Sequence, residues 1–381
     1  MIRQRPWARW GAVAAILAGA ANLVGADEPA AARFVIGVLL PPQDATASSL
    51  RQGALCALDE VNRASGGGLS LVFRGRLDQW GADGAEAARL VTEDGAGALV
   101  APPGGAASHL ALQVAGRTAV PVVSLCPDTS VTRAGIPWMV RIMPRSGDEA
   151  RAILGHELRT SDGRQRHWSA VVPAGRAGRE AARDLAEAAR TVGCSLQPPF
   201  EWIGGTNGLE ALVDQALATR PDGILLWVES SGAARLAKSL RGAGYQGVLG
   251  GPGWLRSPEF AAAAGTAAEG VVAPELERDA AALETFARFE LAYQACFHSD
   301  PDNVAVFAHD AVLLLADLLR GQSGGAGAGG FPLTRAVVGA SGRLEFDRDG
   351  NRVGALRVLT CRAAAWVPAG GPSVHLSGLT R

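Results

Sequence analysis

Short apolar runs alternate with helix-patterned segments along most of this chain, and that rhythm restricts the fold more than any other feature. The run Phe34-Val35-Ile36-Gly37-Val38-Leu39-Leu40 has no polar residue on either face. Such a strand has to be covered on both sides, the condition of a parallel sheet with helices above and below. Pro41-Pro42 ends it. Leu55, Leu58 and Val61 then mark one side of a helix over about 48–62 that stops at Gly66-Gly67-Gly68. Strands follow over 69–73, 98–100 and 120–125, separated by helices over 85–93 and 108–115. After a break around Pro144 the rhythm restarts, with strands at 169–172, 223–228 and 247–250 and helices at 178–192, 209–219 and 232–240. Ser257-Pro258-Glu259 reads as an N-cap followed by proline at the first helical position. Val271-Val272 closes the second series. Strands alternating with helices specify βαβ units, and two such series specify two α/β lobes.

The tail departs from this pattern. Long helices are expected over 280–297 and 303–320, the first with Leu283, Phe286, Phe289 and Tyr293 at spacings of three and four. Asp310 and Asp317 interrupt the apolar run of the second, so it is expected to be a buried helix and not a membrane span. Residues 321–330 are low in complexity and read as a loop. Segments 342–346 and 353–359 flank Asp347-Arg348-Asp349-Gly350-Asn351, the pattern of a hairpin with an Asp-Gly-type turn. That acidic stretch lacks the distal glutamate of a calcium loop.

Charge narrows the function. The chain has 36 Lys+Arg against 37 Asp+Glu, which gives no electrostatic support for binding nucleic acid or an anionic membrane. Residues 1–26 carry Arg3, Arg5 and Arg9 and no acid, then an apolar run from Gly11 to Val24 that closes with Gly25-Ala26. This is the pattern of a cleavable secretory signal peptide, so the mature protein is expected outside the cytoplasm. The five cysteines, Cys56, Cys126, Cys194, Cys296 and Cys361, are widely spaced and show no CxxC or zinc spacing. Export permits disulfides, but the spacing assigns no pair.

Catalysis has no support in the motifs. The six histidines (His109, His156, His167, His298, His309 and His375) form no HExxH or HxxxH. No G-x-S-x-G elbow surrounds Ser108, and the glycine-rich stretch near 325 follows no strand and opens no clear helix. No enzyme, metal or cofactor is expected.

The order of these segments resembles that of the type I periplasmic binding proteins, in particular the branched-chain amino acid (leucine/isoleucine/valine) binding family of ABC importers. The similar pieces are FVIGVLLPP with GALCALDEVN, AVPVVSLCPDTSVT, WMVRIMPRSGDEA, GYQGVLGGPGWLRSPEF, DNVAVFAHDAVLLLADLL and GRLEFDRDGNRVG. No piece is specific alone; the ordered set, spread over nearly all of 33–360, carries the resemblance. It implies an α/β fold of two Rossmann-like lobes joined by three hinge crossings. One lobe takes 33–143 and 276–333, the other 144–275 and 334–381. A small ligand would sit between them and the closed form would dock on permease subunits. A monomer is expected.

In such sheets ligands lie beyond the carboxyl ends of the strands, where helix N-termini offer free N–H groups. The candidate contacts there are Gly105, Ala106, Ser108, Ser124, Cys126 and Asp128 in the first lobe and Glu229 and Trp254 in the second. Trp227 and Trp138 read as packing residues. The chain departs from the pattern of the family's amino-acid binders. Gly105 stands where serine is usual, Asp128 where threonine is, Ala177 and Ala47 where aromatics are, and Gly253 where an acid is. A carboxylate at Asp128 would repel a ligand carboxylate. The resemblance therefore points to a periplasmic solute-binding protein whose ligand is not an unmodified branched-chain amino acid and offers a hydroxyl or amine to Asp128. The alternative is a ligand-sensing accessory protein for a membrane receptor or an exported enzyme system.

Overall fold

The computed structural model describes residues 34–42, 44–75, 82–161, 166–321, 331, 337–370 and 374–376. The expected leader over 1–26 and the low-complexity stretch over 322–330 lie outside the described residues.

The first series forms a five-stranded parallel sheet from β1 (Phe34–Leu39), β2 (Leu69–Arg74), β3 (Ala98–Ala101), β4 (Val122–Ser124) and β5 (Met139–Arg141). Its order is β2-β1-β3-β4-β5, with Phe34 opposite Leu69, Leu99 opposite Val122 and Val123 opposite Val140. The connecting helices are α1 (Asp44–Ser65), α2 (Ala82–Thr92), α3 (Gly105–Thr118) and the short α4 (Ser130–Arg133). α1 starts earlier than its apolar spacing predicts, so Ala47 lies inside a helix and not in a loop.

The second series supplies α5 (Ser146–Thr160), β6 (His167–Pro173), α6 (Arg176–Val192), β7 (Ser195–Leu196), β8 (Phe200–Trp202) and α7 (Leu209–Ala218). It continues through β9 (Gly223–Leu226), α8 (Ser230–Gly242), β10 (Val248–Gly250), α9 (Pro258–Ala264) and β11 (Val272–Leu276). The predicted cap is present: Ser257 Oγ accepts from Phe260 N at 3.1 Å. β11, β10, β9 and β6 run parallel, with β7 and β8 both pairing to β6.

Two return helices follow, α10 (Ala280–Phe297) and α11 (Asn303–Gly321), then β12 (Val337–Gly339), β13 (Gly342–Phe346), β14 (Arg352–Arg362), β15 (Ala365–Pro368) and β16 (Val374–Leu376). The predicted hairpin is β13–β14, and β14 joins the second sheet antiparallel to β11.

Side chains alternate along the strands, so each sheet builds two cores. Val100, Val123 and Val140 pack with α1 and α11, whereas Leu99, Val122 and Met139 pack with α2 and α3. In the second sheet Ala170, Val172 and Leu225 face α5 and α6, while Val171, Ile224 and Leu226 face α7, α8 and α9. Each such fully buried Val, Leu or Ile contributes about 1.5–3 kcal/mol.

The chain passes between the sheets at 142–145, at 277–279 and between α11 and β12. The first passage carries a polar joint. Asp347 Oδ1 accepts from Asp349 N and Asn351 N, so the acidic stretch caps its own turn. That turn reaches the first sheet: Arg141 N donates to Gly350 O at 2.8 Å. Asn351 Oδ1 accepts from Arg141 Nη2 and Thr132 Oγ1, each at 2.5 Å. Arg141 has no exposed surface, and burial draws its guanidinium down to about 10. Asp310 makes a second joint: it is fully buried in α11 and accepts from Ala340 N at 2.6 Å and Ser341 N at 2.7 Å. Asp310, which interrupts the apolar run of this helix, anchors the β12–β13 turn.

Candidate functional site

The loops at the carboxyl ends of β3 and β4 face α6, which opens at the carboxyl end of β6. Two hydrogen bonds cross between them. Thr129 Oγ1 donates to Asp184 Oδ2 at 3.0 Å, and Arg176 Nη2 donates to His109 Nε2 at 3.0 Å. Arginine can only donate, so His109 accepts at Nε2 and carries its proton on Nδ1. Burial, and then Arg176, hold His109 below its ordinary value, which keeps it neutral. Ser130 Oγ lies 2.8 Å from the same nitrogen.

On the first wall a chain of hydroxyls ties the two loops together. Cys126 N donates to Ser124 Oγ at 3.1 Å, Ser124 and Ser108 share a 2.8 Å bond, and Ser108 Oγ donates to Pro102 O at 3.2 Å. Ser108 has one proton and spends it on Pro102, so Ser124 donates to Ser108. Both serines are fully buried, and their hydroxyls serve each other. Gly105, Cys126 and Asp128 come together: a Cβ on Gly105 would stand 3.1 Å from Asp128 Oδ2 and 3.8 Å from Cys126 Sγ. The missing side chain at Gly105 therefore gives the Asp128 carboxyl its room. Asp128 Oδ1 accepts from Ser130 N at 2.8 Å, which fixes the group at the loop. Ala106 is exposed in the first turn of α3. Burial pushes the Cys126 thiol up to about 12, so it stays protonated.

The second wall is aromatic. Trp254 is half-buried in the 3₁₀ turn after β10 and donates from Nε1 to Val228 O at 3.0 Å. It meets Trp227 edge-on, with centroids 6.1 Å apart and planes at 73°. Trp227 is buried and donates to Ser146 Oγ at 3.3 Å, the packing role read from the sequence. Trp202, at the end of β8, is also buried, and a Cβ on Gly232 would overlap its ring at 2.0 Å. Only glycine lets the first turn of α8 pass that indole. Glu229 points to solvent, with its carboxylate bonded to Ser231 Oγ at 3.1 Å and near Arg235 at 3.4 Å.

Two carboxyl groups here were not among the sequence candidates. Asp184 is buried on α6, and burial raises it to about 6 against the pull of Thr129 and Arg141. Glu149, in the first turn of α5, accepts from Gly253 N at 3.1 Å, and burial raises it to about 8. A Cβ on Gly253 would come within 2.8 Å of Glu149 Oε1. An acidic group therefore does stand beside position 253, but it is donated by another element. Gly253 O in turn accepts from Asn303 Nδ2 at 2.5 Å, so α11 and α5 both hold this loop. The apolar spacing around 146–160 was hidden by buried polar residues, Asp148, Glu149, His156 and Glu157, which is why neither α5 nor Glu149 was expected. Asp184 is one of three acids in the strongly amphipathic α6, and no spacing sets it apart from the other two.

Known proteins share this plan. The sequence model described as "Periplasmic binding protein" matches residues 35–341. No curated protein matches the chain in sequence. Among solved structures, a leucine binding protein LivK from Thermotoga maritima superposes with a TM-score of 0.75 at 18% identity, over 90% of this chain and 99% of that one. LivJ from Streptococcus pneumoniae, in complex with isoleucine, gives 0.75 at 19%, over 90% and 99%. An ABC transporter solute binding protein from R. palustris, in complex with benzoate, gives 0.74 at 18%, over 90% and 97%.

Proposed function

Because the chain belongs to the periplasmic binding protein family, we propose that it captures a small polar solute between its lobes and delivers it to an ABC importer. The observation that carries this reading is the pair of cross-lobe bonds, Thr129 to Asp184 and His109 to Arg176, at the carboxyl ends of the strands. Surfaces that meet there can trap a guest by hinge rotation. Residues 33–143 with 276–333 turn as one half, and 144–275 with 334–381 as the other. The protein works as a monomer in the periplasm after loss of its leader, and its closed form docks on the permease.

The solute offers an amine or hydroxyl and is not an unmodified branched-chain amino acid. Asp128 with Gly105 on one side, and Asp184 opposite, support this, since a ligand carboxylate between them would meet like charge. Trp254 offers an aromatic wall for its apolar part. Calorimetry over a panel of amino acids, aromatic acids, amines and polyols tests both claims. Binding of an amine- or hydroxyl-bearing solute is expected. Tight binding of leucine would overturn the ligand class, and a folded protein that binds nothing small would overturn the function.

A further inference from the structure

We propose that the second lobe carries a further binding site, at the end opposite the cleft, for a small molecule bearing a phosphate or carboxylate group. Its lining residues lie at the amino ends of the strands, so it stands apart from the transport reading.

A cavity of about 740 Å³ opens where α8 ends and where β10 and β11 begin. These strands run parallel toward the cleft, which puts their starts on the far side of the lobe. Lys238 and Arg241 line the cavity from the end of α8, and Gln246 lines it from the loop into β10. Thr266, Glu269 and Gly270 line it from the segment before β11. The volume suits a whole small molecule and exceeds what a bare ion fills.

The α8 wall is cationic and unbalanced. Lys238 is the only lysine in the chain. It is exposed and makes no hydrogen bond or ion pair among the described residues. Arg241 lies three positions on, and so on the same helix face. It is half-buried and donates twice from Nη1, to Tyr245 O and to Gly247 O, each at 2.8 Å. Those bonds, with the guanidinium 5.7 Å from the centre of the Tyr245 ring, fix the group in place. They leave Nε and Nη2, the edge that grips two oxygens of one anion, without a protein acceptor. Burial holds the guanidinium below its ordinary value, as expected of a cation with no carboxylate beside it. The helix dipole favours a cation at this end, and Nη1 meets that demand on the two carbonyls. The second edge is left over, and Lys238 repeats the charge one turn earlier. Glu269, across the cavity, accepts from Ala363 N at 2.9 Å and forms no ion pair with either cation among the described residues. An oxyanion on the α8 wall therefore meets two cations, while Gln246, Thr266 and Glu269 offer polar contacts to the rest of the molecule.

Pyridoxal phosphate is the probe, because it joins an aldehyde, which a lysine amine attacks, to a phosphate, which Arg241 would hold. The amine adds to the aldehyde carbon, water leaves, and the imine is read by its absorbance; no oxidant or reductant is needed. With a single lysine the signal reports on this cavity, and Lys238→Met gives the background from the amino terminus. At constant ionic strength, pyridoxal phosphate is expected to half-saturate the protein at a concentration about tenfold or more below that of pyridoxal, the scale of a charge-assisted hydrogen bond. Arg241→Gln should remove that preference. Arg241 also braces the loop before β10, so a second measurement uses the parent protein: inorganic phosphate or succinate should displace the probe, and the better competitor identifies the oxyanion. Equal half-saturation by the two aldehydes, a preference that survives in Arg241→Gln, or no displacement by either anion would overturn the site. None of these outcomes bears on solute capture in the cleft.

Discussion

Thr129 and Asp184 meet across the two lobes, with the threonine hydroxyl 3.0 Å from a carboxylate that is itself buried. The bond is made only while the lobes face each other, so it contributes to the closed form and to nothing within either lobe. Thr129→Val keeps the shape and removes the donor. A larger radius of gyration by small-angle scattering, without ligand, is the expected outcome; an unchanged radius would mean that the bond does not hold the lobes.

Asp184 also makes stability depend on pH. Burial raises its folded value to about 6, above the ordinary 3.8. The folded state therefore keeps a proton that the unfolded chain releases, and stability falls as pH rises from about 4 through 6. Asp184→Asn removes that loss and is expected to be more stable than the parent at pH 7 by about 3 kcal/mol. The gain should vanish as the pH is lowered toward 4 in urea titrations.

Glu149 follows the same sign over a higher window. Its folded value of about 8 lies above the ordinary 4.5, so the buried carboxyl is protonated at neutral pH. Between about 5 and 8 it removes up to about 1.4 kcal/mol of stability per pH unit. Glu149→Gln mimics the protonated acid, so denaturant midpoints of the variant should lie on a flatter line against pH. Parallel profiles for the two proteins would show that Glu149 ionises freely.

Asp128→Ala is expected to weaken solute binding by about 1–3 kcal/mol. Its carboxylate bonds only one backbone N–H of its own loop among the described contacts, so the melting temperature should barely move. Calorimetry that returns an unchanged affinity would remove Asp128 from the site.

Asp310→Ala tests the joint between α11 and the β12–β13 turn. It strips the acceptor from Ala340 N and Ser341 N and leaves His309, held above its ordinary value by Asp310 and Glu60 against burial, with one carboxylate fewer. A loss of about 3–5 kcal/mol is expected by urea unfolding.

The architecture was legible because a parallel sheet writes itself as doubly apolar runs. Val35 to Leu39 could only be a covered strand, and α10 over Ala280–Phe297 was bounded by Asp279, whose carboxylate caps Ala282 N at 2.9 Å. The site was less legible for a physical reason. Its positions come from strand ends, which the alternation marks, but side-chain direction does not. Ser108 lies within α3 and Ser124 ends β4, and their hydroxyls turn inward to each other. Glu149 was invisible because a buried neutral acid looks, in sequence, like any surface glutamate.

The turn that carries Asn351 has one more consequence. Arg141 donates to Pro127 O nearby at 2.9 Å, but its second acceptor comes from a residue 210 positions further along the chain. A polypeptide made from its amino end therefore carries a cation with part of its berth still to come, and the leading half stays unfinished until almost the last segment is delivered. Chains ended before Gly350 should leave that half open to proteases, which couples maturation of the two halves to a single late event.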